Sequence, residues 1–136
     1  MRSPEDIVKA ADILVKVKEP LPEEYNLLEQ FAGKTLFTYL HLSGVDKRLS
    51  KVLVNNNITA IAYETVQDER GLLPLLAPMS EIAGVLAVQY GAEYLQKKYG
   101  GRGVTLGAIT GTDSAHVVVM GGGFVGMTAA KTATFT

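Results

Sequence analysis

Lys18, His41 and a late glycine cluster are the residues of this 136-residue sequence whose types and spacing suit chemistry. Lys18 closes Ile13-Leu-Val-Lys-Val-Lys18, an apolar, β-branched run halted by Glu19-Pro20. Loops at the carboxyl edge of a parallel sheet form ligand sites. An ammonium there can hold a carboxylate or stabilise negative charge developing on a keto oxygen. His41, one of two histidines, follows the apolar run Thr35 to Leu40, and its titration near neutral pH suits a proton donor and acceptor. Tyr39 is placed to line the same pocket. Further on, His116-Val-Val-Val-Met-Gly-Gly-Gly-Phe-Val-Gly126 reads as a buried strand entering Gly121-x-Gly123-x-x-Gly126, the opening of a dinucleotide-binding unit. The first glycine makes the tight turn, the second lets backbone approach a pyrophosphate, and the third lets helix pack closely on strand. Ser80, at the start of a long helical stretch, can donate to a carbonyl or phosphate where helix amides favour anions.

Each residue also has a plainer reading. Lys18 can be a solvated lysine beside Lys16, His41 and Tyr39 structural residues of an apolar strand, and Ser80 an ordinary helix cap. His116 reads as a surface residue at a strand entry. Glu64 and Glu81 can pair as carboxylates, but nothing in the sequence fixes their separation, and both read as structural.

The elements that must position these side chains follow from periodicity and punctuation. Ser3 or Asp6 can open a short first helix. Ile13 to Lys18, Thr35 to Leu40 and Ile58 to Glu64 read as strands. Pro22 to Gln30, with proline in the first turn and Gly33 closing it, and Asp46 to Asn55 read as the helices between them. Strands and helices alternating at this spacing predict an α/β fold of parallel βαβ units with both sheet faces covered. After a loop from Thr65 to Ala77, Pro78 opens a long helix reaching towards Tyr99, with Met79, Ile82, Val85, Leu86, Gln89 and Tyr90 at helical spacing. Gly100-Gly-Arg-Gly103 marks its end. The expected organisation is a partial substrate domain over 1–77, an interdomain helix and glycine-rich connection over 78–115, and the start of a Rossmann domain over 116–136.

Composition narrows the function classes. The formal net charge is −1 with interspersed charges, so no basic face for nucleic acid and no polybasic membrane patch is expected. The absence of cysteine excludes disulfides and thiolate metal sites and fits a reducing cytoplasm. No apolar run approaches the ~18 residues of a membrane span.

Taken together, Val15-Lys-Val-Lys-Glu-Pro20, Leu36-Phe-Thr-Tyr-Leu-His-Leu42, Ile61-Ala-Tyr-Glu-Thr-Val66, Leu73-Pro-Leu-Leu-Ala-Pro-Met-Ser-Glu-Ile-Ala-Gly84 and Gly100-Gly-Arg-Gly103 resemble the alanine dehydrogenase and pyridine nucleotide transhydrogenase family almost end to end. The Phe-Thr-Tyr-Leu-His and Leu-Ala-Pro-Met-Ser-Glu blocks look more like the amino-acid enzyme than the transhydrogenase subunit. The resemblance implies interconversion of L-alanine with pyruvate and ammonia, NAD as hydride carrier, and a split substrate domain around a Rossmann domain. It further implies Lys18 as the substrate lysine, His41 as the acid/base, Ser80 near the cofactor, and a homo-oligomer or a complex with a homologous chain.

The same resemblance implies that the chain covers the middle of the family plan. It would lack the beginning of the substrate domain with a substrate-binding arginine, and most of the nucleotide domain with its ribose-binding acid and an active-site aspartate. The ending Lys131-Thr-Ala-Thr-Phe-Thr136 departs from the family's usual helix continuation and reads as the product of a shortened or frameshifted gene. The expected function is therefore an alanine dehydrogenase fragment inactive alone. The alternatives are a non-catalytic oligomerisation or nucleotide-binding module and a transhydrogenase-like subunit.

Overall fold

A computed structural model describes residues 3–134. The chain divides after Leu76 into two compact units. In the first, α1 (Pro4–Ala10) begins at Ser3, whose hydroxyl accepts from the Asp6 amide while the Asp6 carboxylate accepts from the Ser3 amide. This reciprocal pair satisfies amides that a helix start leaves without partners. Strands β1 (Ile13–Val15), β2 (Thr35–Thr38) and β3 (Thr59–Ala62) form a parallel sheet in the order β1-β2-β3. A 3-10 turn over Pro22–Glu24 leads into α2 (Tyr25–Glu29), and α3 (Lys47–Asn55) joins β2 to β3. Asp46 caps α3 by accepting from the Arg48 amide at 2.8 Å. Gly33 turns the chain from α2 to β2 at φ 73°, a left-handed conformation that glycine adopts without steric cost.

Helices α1, α2 and α3 bury one face of the sheet. Leu36 on β2, in register with Leu14 and Ala60, is fully buried with Phe31 and Leu49. The other face, bearing Ile13, Val15 and Ile61, is exposed, and Val17 just beyond β1 is 70% exposed. The expectation that both faces are covered is thus corrected. With strands added in the order β1-β2-β3, two crossovers of the same hand return on the same side of the sheet, so their helices stack on one face.

The second unit is helical. Its long helix α4 (Ala77–Tyr94) packs along α5 (Phe124–Thr134). The axes come close at Gly84, where a Cβ would lie 2.6 Å from the Val125 carbonyl oxygen and 2.7 Å from Thr128 Cβ. Helix α4 ends at Tyr94, short of the expected Tyr99. A separate 3-10 turn, Lys97–Tyr99, follows, and Gly100 terminates it at φ 81°. The expected strand at His116 to Met120 is also corrected. This segment joins no ladder, and Val118 and Met120 are 83% and 93% exposed. An apolar β-branched run becomes a strand only against partner amides, and among the described residues the second unit contains no strand to supply them. In the ending that differs from the family's usual helix continuation, Lys131 to Thr134 belong to α5 and the last two residues lie outside the described ones.

Leu36→Ala should destabilise the first unit by about 2–5 kcal/mol, while Val17→Ala on the open side should change stability by no more than about 0.5 kcal/mol. Urea unfolding of both variants checks this, and equal losses would contradict a one-sided core.

Candidate active site

Parallel strands end at a common edge, and the residues just beyond β1, β2 and β3 meet there. The pairing continues past the regular ladder: the Lys16 amide donates to the Phe37 carbonyl at 3.0 Å and the Tyr39 amide to the Val17 carbonyl at 3.3 Å. Thr38, fully buried, donates its hydroxyl to the Lys18 carbonyl at 2.9 Å. A buried hydroxyl without a partner is costly, so this bond fixes where the chain leaves β1. Lys18 emerges at that point with its side chain 75% exposed and its ammonium 3.1 Å from Glu19 Oε2. Glu19 is held below its usual carboxylate range by its own backbone amide and by the Lys18 ammonium, with a smaller contribution from the charge of His41.

His41 sits beyond β2 with φ 45°, a conformation uncommon for a non-glycine residue. Glu64, beyond β3, holds it there. Glu64 Oε1 accepts from the His41 amide at 2.6 Å and from the Leu40 amide at 3.1 Å, and Oε2 accepts from the Leu40 amide at 3.2 Å. Partial burial alone would raise the Glu64 carboxyl, but the backbone amides of Glu64, His41 and Leu40 outweigh it and leave the group below its ordinary value. Glu64 is thereby committed to this edge. The sequence reading missed this role, because it depends on the β2–β3 register and no local pattern encodes it.

Tyr39 is half-buried. Its ring stands edge-on to Tyr63 at 4.8 Å, and Tyr63 stands edge-on to Phe37 at 4.2 Å. The Tyr39 hydroxyl donates to the Leu75 carbonyl at 2.6 Å, which ties the loop after β3 to the strand edge. The first unit therefore gathers Lys18, Tyr39 and His41 around one edge, with Glu19 and Glu64 beside them.

In the second unit, Ser80, Gly121, Gly123 and Gly126 line one cavity of about 1010 Å³. His116, exposed, lines it too. Gly121 adopts φ 108°, and a Cβ on Gly126 would collide with the Gly121 carbonyl oxygen. The third glycine is therefore required for α5 to start so close behind the turn. No contact would constrain a Cβ on Gly123. Among the described residues no cluster of histidine and carboxylate side chains could hold a metal ion.

Residues 1–83 match the family model described as "Alanine dehydrogenase/PNT, N-terminal domain" and residues 87–135 the one described as "Alanine dehydrogenase/PNT, C-terminal domain". The chain belongs to the alanine dehydrogenase/PNT family. It is 51% identical over 128 residues to an alanine dehydrogenase of Methanococcus maripaludis, covering 94% of this chain and 34% of that protein. It is 50% identical over 123 residues to the alanine dehydrogenase of Bacillus subtilis, covering 90% and 32%. A solved structure of an L-alanine dehydrogenase superposes with a TM-score of 0.80 at 48% identity, over 99% of this chain and 36% of that one. The chain thus spans about a third of the length of the relatives it matches.

The lowered Glu64 carboxyl predicts a pH dependence. A depressed folded-state value contributes stability that is present above the ordinary glutamate range, about 4.3, and is lost as pH falls through the lower folded value. Acid unfolding of Glu64→Gln should lack this component, so the gap between wild type and variant should close as pH drops. A gap that stays constant down to the acid limb would contradict the bonding described.

Proposed function

We propose that this chain carries the substrate-binding and proton-transfer part of an alanine dehydrogenase, acting on L-alanine or pyruvate with NAD, and that it works as part of a larger assembly. The observation that supports this best is the convergence of Lys18, Tyr39 and His41 on the carboxyl edge of a parallel sheet in a chain about 50% identical to alanine dehydrogenases. In this reading the Lys18 ammonium pairs with the substrate carboxylate and steadies the oxygen that becomes the keto group. His41 takes a proton as water adds to the imine carbon and returns one to the departing ammonia. Tyr39 walls the pocket. Bound NAD would supply the hydride acceptor for oxidation at the alanine α-carbon. Ser80, Gly121, Gly123 and Gly126 would hold its pyrophosphate, a fit supported by the glycine turn that a Cβ would obstruct.

Association is part of the proposal. Helix α4 exposes Met79, Ile82, Leu86, Tyr90 and Tyr94, spaced along one stripe, and Val117 to Met120 are exposed as well. Contiguous apolar surface of this kind marks contact sites, here with a second copy or a homologous chain. Among the described residues no helix is long and apolar enough to cross a membrane, and a cytoplasmic site of action accompanies the reading.

Three outcomes test it. The 136-residue chain assayed by itself should show no alanine-dependent reduction of NAD, since hydride transfer requires the nicotinamide held against the substrate and the chain spans a third of its relatives. Turnover abolished by His41→Ala would show instead that these residues suffice. NAD titration followed by amide resonances should move Ser80 and Gly121 to Phe124, with a dissociation constant well above the low micromolar range. Shifts confined to other residues would overturn the nucleotide assignment. Light scattering across concentration should show self-association that protects α4 from hydrogen exchange, and a monomer at all concentrations would remove the association arm.

A further inference from the structure

His41 has an exposed side chain on a chain segment with no regular structure, so something must set where its imidazole lies. Two independent features do so. The first is the grip of Glu64 on the His41 and Leu40 amides at 2.6 to 3.2 Å, which holds the backbone at φ 45°. The second is Gly44. The chain turns after His41, with the Gly44 amide donating to the His41 carbonyl at 2.8 Å, and this folds Gly44 back beneath the imidazole. A Cβ on Gly44 would collide with His41 Nε2 and Cδ2. The ring occupies the space that the missing side chain leaves.

We infer that Glu64 and Gly44 are positioning residues for His41, one setting its backbone and the other reserving the volume of its ring. The inference rests on reading His41 as the proton-transfer group. It adds that the place of the imidazole is built into this edge of the sheet, rather than being conferred by bound substrate. Gly44 has no left-handed φ, so alanine is compatible with its backbone, and the group it would strike is the mobile end of a side chain. Gly44→Ala should therefore displace the ring at little expense in stability, which separates positioning from folding. Glu64→Gln keeps an acceptor and the side-chain shape but loses the charge that strengthens both amide bonds. Around His41 the charged groups to be accounted for are Glu64 beyond β3 and the Lys18–Glu19 pair beyond β1.

Nuclear magnetic resonance on the full chain tests this, with the exposed His116 as an internal reference in the second unit. In Gly44→Ala the His41 ring resonances should move and the ring contacts to residue 44 change, while the His116 ring and the urea midpoint stay as in wild type. In Glu64→Gln the His41 and Leu40 amides should exchange about tenfold faster, as expected for losing charge-assisted bonds. Unchanged His41 ring signals in Gly44→Ala, or unchanged amide exchange in Glu64→Gln, would overturn the inference. These readouts do not depend on whether His41 moves protons. That reading fails separately, if pyruvate leaves the His41 ring untouched in wild type.

Discussion

The buried Thr38 hydroxyl, donating to the Lys18 carbonyl at 2.9 Å, is the bond on which the candidate site depends. Parallel pairing brings the ends of β1 and β2 to one edge, and backbone bonds carry it on as far as Val17 and Tyr39. Thr38 extends that link to Lys18 on the β1 side, and Glu64 supplies the corresponding link between β2 and β3. Both bonds cross between strands, so the relative placement of Lys18 and His41 is set by sheet register and not by either loop alone. A core of leucine and phenylalanine on the helix-covered face keeps that register, since a slip by one residue would expose Leu36 and bury Phe37 in its place.

Much of this was legible in the sequence because the signals were local. Ser3 with Asp6, Asp46 before Lys47 and Gly33 after α2 each marked a boundary through its own side chain or backbone freedom. The three strands were recognisable as β-branched runs cut by proline, asparagine or glycine. Lys18, Tyr39 and His41 were picked out by type and by their place at strand ends, and the structure gathers them at one edge. The glycine turn was legible for the same reason: Gly126 faces the Gly121 carbonyl only because the spacing between them is fixed.

What the sequence hid was non-local. Apolar content at Val117 to Met120 looks like a strand, but strand formation needs a partner that no run of valines can specify for itself. The open face of the sheet follows from strand order and crossover hand, neither of which periodicity reveals. Glu64 looked structural, and only the meeting of β2 with β3 turned it into the holder of His41. The left-handed backbone of His41 belongs to the same category, because Glu64 holds it from beyond a neighbouring strand. The two units also differ in kind. One is a cored α/β layer with a site at its edge, and the other is a helix pair with an exposed apolar stripe and a glycine turn beside a large cavity.

Pyruvate binding to the chain tests most directly whether Lys18 and His41 serve one oxo-acid site. Resonances of Lys18 and the His41 ring should shift together on titration with pyruvate, with a single weak dissociation constant, while the exposed His116 stays unmoved. Lys18→Ala should abolish the shift at His41, because the proposed function assigns the carboxylate to the Lys18 ammonium. Shifts at His41 that persist in Lys18→Ala, or that are matched at His116, would contradict the account.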